Sequence, residues 1–116
     1  MQRIPVVIFN NVALSTALAG ATYTSAANTL TTISAATLNN TAAGVRTVTM
    51  HIVPSGGAAA AANQIASAVS VPAAGSAPTV CGWLVGQTIP QGGSLQALAD
   101  TGAVVAIFVS GYQTTL

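Results

Sequence analysis

Charge is what this chain lacks most. Asp, Glu, Lys and Arg together make up 3% of its 116 residues, against about 25% in an ordinary soluble domain. The charged residues are Arg3, Arg46 and Asp100, with no Glu and no Lys. A single carboxylate cannot form the acid–base pair on which much hydrolytic chemistry depends. Phosphate binding needs several Lys or Arg, so nucleic acid is not an expected partner. A surface this neutral has almost no long-range field, and low net charge favours self-association.

Cysteine and aromatic residues are scarce too. Cys81 is the only cysteine, which excludes an intrachain disulfide; buried among small residues, it reads as a small hydrophobe. Aromatics make up 4% of the chain although hydrophobic residues reach 52%, much of it Ala and Val. A core of small side chains gains less per residue than one of Leu and Phe. The length suits one domain, and the composition predicts one whose stability is completed by neighbours. No stretch is long and apolar enough to cross a membrane as a helix. Arg3, the run Ile4–Phe9 and Ala17-Leu18-Ala19 loosely imitate a secretory leader. Pro5 and Asn10-Asn11 interrupt that run, so the chain is expected to keep this segment.

What is present is a series of short β-patterns punctuated by Gly and Pro. Residues 1–27 read as an extended N-terminal arm that orders by lying on something else; a first strand followed by a loop is the other reading. Pro5 confines any strand there to a sheet edge, and Gly20 and the mixed small residues after Asn10 give no clear period. Residues 28–116 read as a β-sandwich domain. Asn28–Asn39 is rich in β-branched residues, and Asn40–Gly44 is a turn. Val45–Val53 places Val48, Met50 and Ile52 on one face and Thr47, Thr49 and His51 on the other. These two segments are expected to pair as an antiparallel hairpin. Pro54-Ser55-Gly56-Gly57 ends the second. Ala58–Ala62 is a loop with at most one helical turn. Ile65–Val71 and Thr79–Cys81 are further strands. Gly82–Ile89 is ambiguous, with a helical turn carrying Trp83 and Leu84 as one reading. Pro90–Gly93 turns the chain into the strand Ser94–Ala99. After Asp100-Thr101-Gly102, Ala103–Ser110 is a last β-run ending at Gly111-Tyr112. Short strands with a turn about every ten residues predict an all-β fold, a single β-sandwich or jelly-roll-like domain.

Three stretches together resemble small virion proteins of tailed bacteriophages. They are Val48-Thr49-Met50-His51-Ile52-Val53-Pro54-Ser55-Gly56-Gly57, Val71-Pro72-Ala73-Ala74-Gly75, and Val85 through Ala99 with the turn Pro90-Gln91-Gly92-Gly93. The likeness covers about residues 28–112 and is a pattern of turns and strands. The family often has an acidic residue after the second glycine turn, where this chain has Ser94. The resemblance implies a β-sandwich that coats or joins parts of a virion assembled in the host cytoplasm. The favoured expectation is a capsid decoration or cement subunit bound to the major capsid protein or other virion proteins. Alternatives are a head–tail or tail component, or a head-fibre tip that binds carbohydrate. Sugar-binding sandwiches usually show exposed aromatics with carboxylates, whereas Tyr23, Trp83 and Tyr112 are scattered and Asp100 is alone.

Candidate reactive groups are few. A metal site would draw on His51, Cys81 and Asp100, which have no close spacing. A Ser–His–Asp triad or a Cys81–His51 dyad can be written down, but no serine sits in a nucleophile elbow. Neither Gly56-Gly57 nor Gly92-Gly93 precedes a Lys-Ser/Thr and helix, so both read as turns. No enzymatic activity and no cofactor are expected. Arg46 is a possible partner for Asp100, and His51 reads as a surface or interface histidine bonded to a neighbouring strand. Trp83 reads as a core plug rather than an interface anchor. The arm carries Ile4, Val6, Val7, Ile8, Phe9, Val12 and Leu14 without completing an amphipathic element. Ile4, Val6, Ile8, Phe9, Val12 and Leu14, with Arg46 and His51, form the candidate protein interface. The arm is expected to add to a neighbour's sheet edge by β-augmentation. A homo-oligomer is expected, with a trimer favoured because shells offer threefold positions.

Overall fold

A computed structural model describes residues 3–18 and 21–116. Gly20, and Ala19 of the leader-like triplet, lie outside the described residues. Among the described residues nine strands form: β1 (Arg3–Ala13), β2 (Thr22–Thr24), β3 (Thr29–Asn40), β4 (Arg46–Val53), β5 (Gln64–Val71), β6 (Thr79–Val80), β7 (Thr88–Ile89), β8 (Ser94–Ala99) and β9 (Val105–Thr115). They build two sheets. One runs β1-β9-β3-β6, with β7 also paired to β3; the other runs β2-β8-β4-β5. All pairings are antiparallel.

The connectivity is that of a long hairpin rolled on itself. β4 and β5 are joined at its tip, and outward from them β3 pairs with β6 and β7, β2 with β8, and β1 with β9. Rolling adds the contacts of β9 with β3 and of β8 with β4. This is a jelly roll, a fold that hides most of its strand edges by curling two sheets over one core. The molecule measures 45 × 26 × 19 Å.

The hairpin expected between β3 and β4 is not formed: the two strands lie in different sheets. Asn40 explains the crossing. Its side chain donates to Gly44 O at 2.9 Å and Val71 O at 3.3 Å, and accepts from Ala42 N at 2.8 Å. The turn is tied to β5 and swings the chain across the sandwich. The true hairpin is β4–β5, with a longer loop containing the expected single helical turn, a 3-10 turn at Ala61–Asn63.

The core is aliphatic and small. Leu14, Leu38, Val48, Met50, Leu84, Ile89, Leu95, Val105 and Ile107 are fully buried, and Ala21, Ala36, Ala66, Ala97 and Ala99 fill the gaps between them. In β4 the expected alternation is kept: Val48 and Met50 are buried in the core, with Ile52 packed against it. In β5 a bulge interrupts the phase. Ala68 has φ of 49°, and Ala66 and Val71 are both buried although their offset along the strand is odd. Trp83 is half-buried against the core. The ambiguous stretch after Gly82 contains a turn, with Leu84 N donating to Cys81 O at 3.0 Å, and then the short strand β7.

The N-terminal segment does not stand off as an arm. β1 pairs along its length with β9, from Arg3 opposite Thr114 to Ala13 opposite Ala106. β2 extends the second sheet. The boundary at residues 27 and 28 therefore divides nothing in the fold. Pro5 was informative: β1 is an edge strand, where a missing N–H costs no ladder bond.

Candidate interaction surface

The sequence placed an interface on one set of apolar residues, and the fold gives most of them another task. Ile8 and Phe9 are 8% and 5% exposed, Leu14 is fully buried, and Val6 and Val12 pack against the core. Of the apolar candidates only Ile4 is exposed, at 46%. The reason is register. Val6 and Ile8 lie on the phase of β1 that faces the second sheet, and the hydrophobic effect drives that phase inward once β9 is in place.

His51 is also removed from the surface. It lies on the outer phase of β4, as expected, but the β4–β5 loop covers it to 7% exposure. Nδ1 lies 2.9 Å from Asn63 Oδ1 and 3.1 Å from Ala60 O. Asn63 is oriented by Ala60 N donating to Oδ1 at 3.0 Å and by its own Nδ2 donating to Ala58 O at 2.9 Å. Both neighbours of Nδ1 are thus acceptors, so Nδ1 carries the proton and donates. His51 fastens the chain's own alanine loop over the second sheet instead of bonding to a neighbouring strand. Arg46 is half-buried, on the phase of Val48, and its Nε is buried with no hydrogen-bond partner among the described residues. Asp100 is exposed, and its backbone N donates to Thr47 O at 3.0 Å. The expected Arg46–Asp100 pair is not made through Nε.

Reactive groups are not assembled. No group of three or more His, Cys, Asp or Glu residues able to hold a metal occurs among the described residues. Burial pushes the Cys81 thiol up from 9.0 to about 11, leaving it protonated at neutral pH. The aromatics that could stack on a sugar are engaged elsewhere. Tyr23 packs against the core and accepts from Gln113 Nε2 at 3.1 Å, and Arg3 lies 4.9 Å from the centre of the Tyr112 ring.

What the fold does expose is the outer face of the β1-β9-β3-β6 sheet. Register aligns Val80, Thr37 and Phe108 in one row across β6, β3 and β9, and Ala35, Ser110 and Val7 in the next across β3, β9 and β1. Val80 is 74%, Val7 66% and Phe108 39% exposed. Between the rows runs a crease of about 280 Å³ lined by Val7, Phe9, Asn10, Ala35, Thr37, Phe108, Val109 and Ser110. Its origin is a pair of bulges at one level. β1 slips register between Val7 and Phe9, and β3 slips between Ile33 and Ala35, on either side of β9. Ile8 and Ser34 are the extra residues, and Ser34 Oγ donates to Ser110 O at 3.3 Å. Gly111 sits at this level, where a Cβ would run into the carbonyl oxygen of Thr32. Phe108 was legible as a surface residue, because Val105, Ile107 and Val109 take the opposite phase of the same strand. The crease was not, because a bulge leaves no fixed mark in sequence.

The turns Pro54–Gly57 and Pro90–Gly93 also meet. Gly92, with φ of 71°, lies so close to the Ser55 side chain that a Cβ would approach its Oγ to 2.7 Å. No protein-family model, curated protein or solved structure matches this chain at a significant level.

Proposed function

We propose that this chain is a structural subunit of a tailed-phage virion that coats the outside of the capsid as a decoration or cement protein. The observation that carries the reading is the distribution of apolar side chains over a nearly uncharged jelly roll. Val7 and Phe108 lie on one sheet face, Val80 and Val85 beside the β6–β7 edge, and Val45 near the Asp100 end, all exposed. Singly exposed apolar groups are ordinary, but with three charged residues in all there is little to keep such a surface from association. A subunit with neighbours on several sides gains from each of them. The chain binds the major capsid protein or another virion protein, acts as a homo-oligomer, needs no cofactor and catalyses no reaction.

A carbohydrate-reading fibre tip and a tail or head–tail component are the competing assignments. The engagement of Tyr23, Trp83 and Tyr112 within the fold speaks against a sugar platform. Imaging particles produced without this protein tests the proposal. Complete heads and tails without their regularly spaced surface density are the expected result, together with shells that rupture at lower temperature. Particles lacking tails or fibres, with an unaltered shell surface, would overturn it.

A further inference from the structure

The crease and Phe108 lie side by side on one sheet face, so this face carries both a knob and a hole. We propose that it is the contact between two copies of this chain, packed face to face about a twofold axis with each Phe108 seated in the other's crease between Val7, Ala35 and Ser110. An isologous contact requires self-complementarity, and Phe108, 39% exposed at the wall of the recess it shares with Val7, Ala35 and Ser110, supplies it.

Three observations favour a second copy over other occupants. The edges are poor templates for an added strand, which turns association toward the face. β1 carries Pro5 and two register slips, β2 has 3 residues, β6 and β7 have 2 each, and β5 is broken at Ala68. The area also suffices. β1, β3 and β9 are 11, 12 and 11 residues long; three strands about 4.8 Å apart, each about 36 Å long, give a face of roughly 520 Å², to which the two-residue β6 and β7 add little. Two copies would bury about 1,000 Å² in all, which reaches what a specific interface needs. Finally, charge sets the direction. Arg3 lies opposite Thr114 at one end of β9, and exposed Asp100 lies in the turn that leads into the other end. Antiparallel packing brings each Arg3 toward the partner's Asp100 end, whereas parallel packing brings like charges together. The contact is twofold and gives a dimer in place of the trimer expected from sequence. It does not depend on what the dimer coats.

Sedimentation of the purified full chain across a concentration series tests this. The wild type should be a dimer at micromolar concentration. Phe108→Ser should weaken it at least about a hundredfold, since two rings are lost per dimer, with an unchanged circular dichroism spectrum. Ala35→Arg fills the hole from the other side and should act alike, so the test survives if either variant fails to fold. Val45→Ser, away from this face, should leave the dimer intact. Arg3→Asp should weaken it by roughly tenfold or less, and adding Asp100→Arg should restore it. A wild-type monomer or trimer, dimers that persist in both face variants, or no rescue by the charge swap would overturn the proposal.

Discussion

Cys81 is fully buried, and its thiol titrates only near 11. Below about pH 9 the thiol is neutral in both folded and unfolded chains, and stability is whole. As pH rises toward 11 the unfolded thiol ionises first, so the unfolded state gains and stability is lost through the folded value. The span from 9.0 to about 11 is worth about 2–3 kcal/mol at most. Urea midpoints followed from pH 8 to 11 should fall more steeply for the wild type than for Cys81→Ala, and a thiol reagent should label Cys81 only on unfolding. Gly111 is constrained differently. A methyl there meets the Thr32 carbonyl, which is held in the β3–β9 ladder and cannot swing aside. Gly111→Ala should cost about 2–4 kcal/mol in chemical denaturation. Gly102→Ala, with nothing within 4 Å of its added carbon, should stay within about 0.5 kcal/mol of the wild type.

β1 shows most clearly what an element can hide. Its apolar content suggested an arm seeking a partner, and the partner is β9 of the same chain. Deleting residues 3–13 strips Ile8 and Phe9 from the core and uncovers β9. The expected outcome is loss of cooperative thermal unfolding and dye-binding exposed core, not a folded domain that has merely lost an anchor. A strand whose alternation runs unbroken was legible: β4 faces as its sequence reads, with Val48 and Met50 inward. Strands with bulges were not. Asn11 at φ of 53° and Ala68 at φ of 49° reset the phase inside β1 and β5, and alternation carries no sign of where such a reset falls. The turn at Asn40–Gly44 was correctly placed but misread as closing a hairpin. Whether a turn reverses within a sheet or crosses to the other depends on distant partners, here Val71. The candidate site failed for the same reason, since a residue's phase decides whether an apolar side chain serves the core or the surface.

At the scale of the molecule, the rolled topology separates in sequence what it joins in space. β1 lies beside β9, and β2 beside β8. Such non-local pairing must meet its loop-closure cost before most contacts form, which predicts refolding in milliseconds to seconds rather than microseconds. Stopped-flow refolding should show a main phase in that range, and a microsecond phase with full amplitude would contradict it. The position of β9 carries a further consequence for synthesis. It is the last of these nine strands to be synthesised, yet it lies between β1 and β3 in the middle of its sheet. Until it emerges, those two strands have no ladder between them and the first sheet lacks its middle. The first sheet therefore cannot close until β9 is made, although all four strands of the second sheet precede it in sequence. A chain cut short after Val104 lacks the strand that joins β1 to β3, so the order of the strands makes the fold depend on its final element.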